Sequence, residues 1–214
     1  VCELGKNLDK SKKLHRSGTE YALKVLKRFS EILNVSKITN LKIIATAVLR
    51  EATDTKPFID EVEKLFKTKI NILSGEEEAT CSAEGVKIGF ENVDGLVADL
   101  GGGSLELARV ENNIVTNTTS LPVGVLRLLN NPIVKKRNLA KYIKKLLREE
   151  KWLSKKRFNN LYLVGGTWRS LFKLHLFQNN HPVHIIHQYS IDNNVLSKFV
   201  EKISSFNKSK LKTV

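Results

Sequence analysis

Gly95-Leu96-Val97-Ala98-Asp99-Leu100-Gly101-Gly102-Gly103-Ser104-Leu105-Glu106-Leu107 joins an apolar strand, an acid, a glycine loop and a second alternating strand. Three consecutive glycines leave no Cβ atoms in the way, so successive N–H groups can converge on an anion's oxygens. Asp99 stands where the first strand ends and Glu106 just inside the second. Two carboxylates beside a phosphate cradle suit a divalent cation, because magnesium is usually held by one or two carboxylates, waters and phosphate oxygens. The alternative is a tight hairpin whose glycines only turn the chain, although such a turn needs one or two special residues rather than three.

Outward from this stretch, strands and helices alternate, which makes the class α/β. Helical spacing over Thr19 to Asn34 predicts an amphipathic helix, and Leu41 to Ala45 reads as a buried strand. Ala47 to Thr53 and Pro57 to Lys67 read as short helices, Ile70 to Leu73 as a strand, and Glu76-Glu77-Glu78 as the first turn of another helix. A third strand at Ile114 to Thr119 completes an antiparallel meander that shares its sheet with later parallel strands, and Leu161 to Val164 reads as a strand running into Gly165-Gly166-Thr167. Helices are expected at Leu139 to Glu150, Trp168 to Phe177 and Asn193 to Ser205.

The chain has 214 residues, 41% of them hydrophobic, which is enough for real cores and excludes a disordered polypeptide. Its 36 Lys and Arg against 22 Asp and Glu give a net charge of +14, which favours an anionic partner: nucleic acid, an anionic membrane surface or a phosphate polymer. Cys2 and Cys81 are the only cysteines and form no CxxC pair, so a reducing, cytoplasmic setting is the simplest reading. No apolar run approaches the roughly 20 residues of a membrane span.

Four further features can carry chemistry. Arg50 closes the run Ala45-Thr46-Ala47-Val48-Leu49-Arg50 after a strand, where α/β sheets gather ligand groups and a guanidinium can grip phosphate; a plain surface arginine is the alternative. One of Glu76, Glu77 and Glu78 can orient or deprotonate a water, but a helix turns about 100° per residue, so at most one or two face a cleft and the others cap the helix. Gly165-Gly166-Thr167 repeats the strand-to-glycine pattern and can approach a second part of a phosphorylated ligand. His181, His184 and His187 are spaced for one helix face, yet Pro182 and the β-branched run predict an extended segment and ordinary core or surface histidines.

In order, Ala45 to Arg50, Ile72 to Ala79 (Ile-Leu-Ser-Gly-Glu-Glu-Glu-Ala), Ala98 to Leu107, Ser120 to Arg127 (Ser-Leu-Pro-Val-Gly-Val-Leu-Arg) and Val164 to Arg169 (Val-Gly-Gly-Thr-Trp-Arg) resemble the exopolyphosphatase / guanosine pentaphosphate phosphohydrolase (Ppx/GppA) family over nearly the whole chain. The resemblance implies an actin-like, ribonuclease-H-like fold of two lobes, with residues 1–90 in the first lobe and 91–214 in a shortened second. It implies magnesium-dependent hydrolysis of a terminal phosphoanhydride in the cleft between them. Glu78 would activate the attacking water and Arg50 would bind the phosphate being cleaved. Asp99 and Glu106 would hold Mg2+, and Gly101, Gly102, Gly103 and Ser104 would form a phosphate loop. Gly165, Gly166 and Thr167 would support the site from the second lobe. The substrate would be inorganic polyphosphate or pppGpp, and full-length members are commonly homodimers.

Relative to that pattern, the sequence lacks an opening hairpin with an Asp-x-Gly-Ser-Asn-Ser type loop, stops soon after the helix near Ser205 and contains no methionine. The expectation is a chain shortened at both ends, with an exposed sheet edge in its first lobe; the alternative to an enzyme is an inactive polyanion-binding fragment. A nucleic-acid module is the remaining alternative, from Lys135-Lys136-Arg137, Lys144-Lys145 and Lys155-Lys156-Arg157, but these clusters lack interleaved aromatic residues.

Overall fold

A computed structural model describes residues 2–130, 136–154 and 158–206. The elements run α1 (Leu8–Ser11), α2 (Arg16–Val35), β1 (Ile43–Ala45), α3 (Ala47–Glu51), α4 (Lys56–Phe66), β2 (Ile70–Ile72), α5 (Gly75–Gly89) and β3 (Gly95–Leu100). They continue with β4 (Leu105–Glu111), β5 (Ile114–Leu121), α6 (Val125–Asn130), α7 (Lys136–Glu149), α8 (Lys151–Ser154), β6 (Leu161–Val164), α9 (Gly166–Gln178) and α10 (Asn193–Ser204). The strands form a parallel pair, β1–β2, and a four-stranded sheet in the order β5-β4-β3-β6, antiparallel except for β6 beside β3. The mixed α/β architecture and the antiparallel meander are those read from the sequence, but of the several later parallel strands expected there, β6 alone joins the sheet among the described residues.

Both faces of the four-stranded sheet are covered, which explains why β3 is apolar almost throughout instead of alternating. On one face Val97, Ala108 and Val110 pack with Ala79 and Ala83 of α5. On the other, Ala98, Leu107 and Leu121 meet Ile143, Leu146 and Leu147 of α7 and Trp152 of α8. Strand periodicity therefore puts Asp99 and Glu106, two residues on from Val97 and two before Ala108, on the α5 face. The sequence reading groups α5 with residues 1–90, and the packing lays it against the four-stranded sheet.

A separate core joins Ala22 of α2, Leu49 of α3, and Phe58 and Val62 of α4 with Ile43 and Ile70 of the strand pair. Among the described residues, only one face of β1–β2 is covered. Ile44, opposite Asn71, is 48% exposed, which corrects the expectation of a fully buried strand. The expected basic helix is α7, where Lys141, Lys144, Lys145 and Arg148 are exposed while its apolar residues turn to the sheet. Lys135 and Lys155 to Arg157 lie outside the described residues, as do the side chains of Lys136 and Arg137. His181 to His187 fall in the irregular segment between α9 and α10, and no three metal-type side chains cluster among the described residues. No described helix is long and apolar enough to cross a membrane.

Three short helices, α1, α6 and α8, were not anticipated. Of these, α6 matters most, because Gly124 at its start lies directly against the glycine loop. A Cβ on Gly124 would stand 2.3 Å from the Gly103 carbonyl carbon and 2.4 Å from the Gly102 carbonyl carbon and oxygen. These are backbone atoms with nowhere to go. Gly124→Ala should therefore destabilise the protein by about 1–3 kcal/mol, the usual cost of overpacking, read as a lower urea midpoint; an unchanged midpoint would contradict this packing.

Candidate functional site

The N-terminus of α5 sorts its three acids. Ser74 Oγ accepts from the Glu77 N–H at 3.1 Å, and the Glu77 carboxylate accepts from the Ser74 N–H at 2.7 Å, a reciprocal capping box. Glu77 is spent on the cap and Glu76 is exposed, so Glu78 alone turns inward, with a side chain 20% exposed. One turn later on the same face, Ser82 Oγ donates to Asp99 Oδ2 at 2.6 Å. Arg50, in the last turn of α3, donates from Nη1 to the Leu73 carbonyl at 2.6 Å and to Glu78 Oε2 at 3.3 Å. The sequence-predicted pair Glu78 and Arg50 is thus brought into contact from two helices.

Asp99 and Glu106 pair directly across β3 and β4. Glu106 is 2% exposed and accepts from Ser120 Oγ of β5 at 2.8 Å. Gly165, the N-cap of α9, has φ +109° and presses on Asp99: a Cβ there would lie 3.0 Å from Asp99 Oδ1 and 2.9 Å from the Leu100 carbonyl oxygen. Glycine is required on both counts. Gly166 and Thr167 belong to the first helical turn of α9 and make no hydrogen bond to these carboxylates among the described residues.

The glycine loop is held from behind. Gly101 N–H closes it by donating to the Ser104 carbonyl at 3.0 Å. Its next carbonyls are all taken by the chain around the start of α6: Val125 N–H reaches Gly101 O at 3.1 Å, Leu126 N–H reaches Gly102 O at 2.9 Å, and Gly124 N–H reaches Gly103 O at 3.2 Å. A trans peptide directs its N–H away from its C=O. The N–H groups of Gly102, Gly103 and Ser104 consequently face away from α6, and they donate to no other described residue. Main-chain N–H groups grouped in this way have the form of an anion-binding concavity.

Electrostatics single out Glu78. Burial, followed by the neighbouring Glu106 carboxylate, raises its pKa above the ordinary 4.5; the Arg50 hydrogen bond and charge oppose the shift, and Asp99 adds to it. Among the described residues no three metal-type side chains are close enough to enclose a cation by themselves. What Asp99 and Glu106 offer is a pair of hard oxygen donors on adjacent strands, the kind of set that leaves room for water and phosphate oxygens. Sequence reasoning missed Ser82, Ser120, Glu51, Gly124 and Arg127. Of these, Ser82 carried a signal in its place four residues from Glu78 on one helix, and Ser120, Gly124 and Arg127 stood within one family motif without a role of their own.

A carboxyl whose native pKa is raised binds more protons folded than unfolded between 4.5 and the native value, so the protein loses stability as pH rises through that window. Glu78→Gln should be more stable than wild type at pH 7, with the difference vanishing below pH 4.5, measured by urea unfolding at several pH values. A variant less stable at pH 7 would contradict the assignment.

Comparisons with known proteins bear on the family and the fold. The chain is 36% identical over 129 residues to the guanosine-5'-triphosphate,3'-diphosphate pyrophosphatase of Aeromonas hydrophila, covering 60% of this chain and 26% of that protein. It is 30% identical over 225 aligned positions to a bifunctional 3-dehydroquinate synthase/phosphatase of Fusobacterium nucleatum, covering 95% of this chain and 33% of that one. The chain therefore spans about a quarter to a third of these curated relatives. Among solved structures, the Aquifex aeolicus member of the Ppx/GppA family superposes with a TM-score of 0.74 at 19% identity, over 98% of this chain and 70% of that one. An exopolyphosphatase from Cytophaga hutchinsonii gives 0.73 at 23% identity, over 84% and 61%. These likenesses establish the fold, which is the actin-like one that the sequence motifs imply. With the family model matching residues 2–214, the chain belongs to the Ppx/GppA phosphatase family.

Proposed function

We propose that this chain carries the catalytic core of a phosphoanhydride hydrolase that releases terminal orthophosphate from inorganic polyphosphate. The observation that carries the reading is the placement of Glu78, a carboxylate of raised pKa held by Arg50, on the helix that covers the sheet face bearing Asp99 and Glu106, the two carboxylates that flank a loop with three unengaged N–H groups. In this reading the terminal phosphate is bound by the N–H groups of Gly102, Gly103 and Ser104, and Arg50 neutralises its developing charge. A water attacks phosphorus and gives a proton to Glu78, the new P–O bond replacing the bridging P–O bond, whose oxygen leaves with the shortened chain. The raised pKa suits Glu78 to accept that proton near neutral pH.

We further propose that Asp99 and Glu106 hold Mg2+, directly or through water. Bound there, the ion would neutralise phosphate charge and polarise the reacting phosphoryl group. The donor set fits: Glu106 is buried with a serine hydroxyl as its hydrogen-bond donor, and a second carboxylate lies directly across the strand pair. The net charge of +14 favours a polyanionic substrate. A second reading, release of the 5'-terminal phosphate of pppGpp, uses the same groups and is supported by the name of the Aeromonas relative.

Orthophosphate release from long-chain polyphosphate and from pppGpp, with and without Mg2+, tests the reading. The wild-type chain should release phosphate only with the metal, and Glu78→Gln should cut the rate about 10²- to 10⁴-fold, the range for loss of a general base. No release by wild type, or release that survives in Glu78→Gln, would contradict it.

A further inference from the structure

We propose that Arg127 is a positioning residue that locks the glycine loop to α3, and through α3 to Arg50, so that the phosphate cradle and the Arg50–Glu78 pair are set as one unit. This rests on the reading of the loop as a phosphate cradle. Arg127 Nε donates to the Gly103 carbonyl at 2.8 Å, while its Nη2 lies 2.6 and 2.5 Å from the two carboxylate oxygens of Glu51. The pair is half sheltered, the side chains being 17% and 29% exposed, and it spans 76 residues of sequence. Glu51 directly follows Arg50 in the five-residue helix α3. The first residue of that helix, Ala47, lies 3.3 Å from where a Cβ on Gly103 would stand. The Arg127 guanidinium therefore ties Gly103 to the last residue of α3, next to Arg50, whose own guanidinium reaches Glu78.

The contact also has a chemical consequence. The Gly103 carbonyl belongs to the peptide whose N–H is that of Ser104, one of the three cradle donors. A charged donor on that oxygen polarises the peptide and strengthens its N–H as a donor to anions. Lysine cannot substitute, because a single ammonium does not present the planar fork that reaches a carbonyl and a carboxylate at once.

Amide hydrogen exchange and steady-state kinetics on the full chain, comparing wild type with Arg127→Lys and Glu51→Gln, test this. Without ligand, exchange in the loop around Gly103 and in α3 should speed up together, about tenfold in either variant, while β3 and β4 core amides stay unchanged. Acceleration of one segment alone, or of neither, would overturn the coupling. With Mg2+ and tripolyphosphate as probe, the kcat of Glu51→Gln should fall about tenfold with KM within about twofold, since Glu51 itself touches no substrate; a change confined to KM would overturn the positioning role. If tripolyphosphate fails to protect the wild-type loop, the cradle reading fails, and the ligand-free exchange still decides whether Arg127 links the two segments.

Discussion

The docking of α6 on the glycine loop is the constraint from which the site follows. Three successive loop carbonyls are consumed by the N–H groups of Gly124, Val125 and Leu126. With one side of each peptide committed, planarity sends the N–H groups of Gly102, Gly103 and Ser104 to the other side. Buried backbone groups must find partners, and here the carbonyls find them inside the protein while the three N–H groups meet no acceptor among the described residues. Gly124 permits this because any Cβ would enter the Gly102 and Gly103 backbone.

Around that loop, strand alternation does the sorting. In β3 and β4 the residues that face α5 are Val97, Ala108 and Val110, then Asp99 and Glu106 at the end nearest the loop. The same face is thus core at one end and charged at the other. Helix α5 follows it, with Ala79 and Ala83 packed in the apolar part, Ser82 on Asp99 and Glu78 close enough to feel the charges of Glu106 and Asp99. Gathering carboxylates in a sheltered place is unfavourable unless something offsets their repulsion. Arg50 does so in part, and a bound cation would do the rest.

Much of this was legible in the sequence because it is local. Asp99, the three glycines and Glu106 lie within eight residues, and their faces follow from a period of two. Glu78 was separable from Glu76 and Glu77 in principle, since Ser74 with Glu77 three positions on has the form of a capping box. The rest depended on partners remote in the chain. A six-residue helix such as α6 is too short to show a period, and nothing near Arg127 points to Glu51. The half-exposed Ile44 was read as core because strand burial depends on what covers each face, which a single strand does not reveal. Helix α5 follows the β1–β2 segment in sequence and packs on the other sheet, a choice made by tertiary contacts alone. The structure gathers residues from all the family motifs around the glycine loop: four of the five quoted stretches carry Arg50, Glu78, the loop carboxylates and Gly165, and the other contains both Gly124 and Arg127.

The central claim is that the amides of Gly102, Gly103 and Ser104 form the anion site. It is tested most directly by following backbone amide resonances of the chain while tripolyphosphate is added in the presence of Mg2+. The account predicts that these three amides shift downfield together, with one apparent affinity, ahead of those on the lysine-rich face of α7. Shifts confined to α7, with the three loop amides unmoved, would show that the polyanion is held by surface charge and would contradict the account.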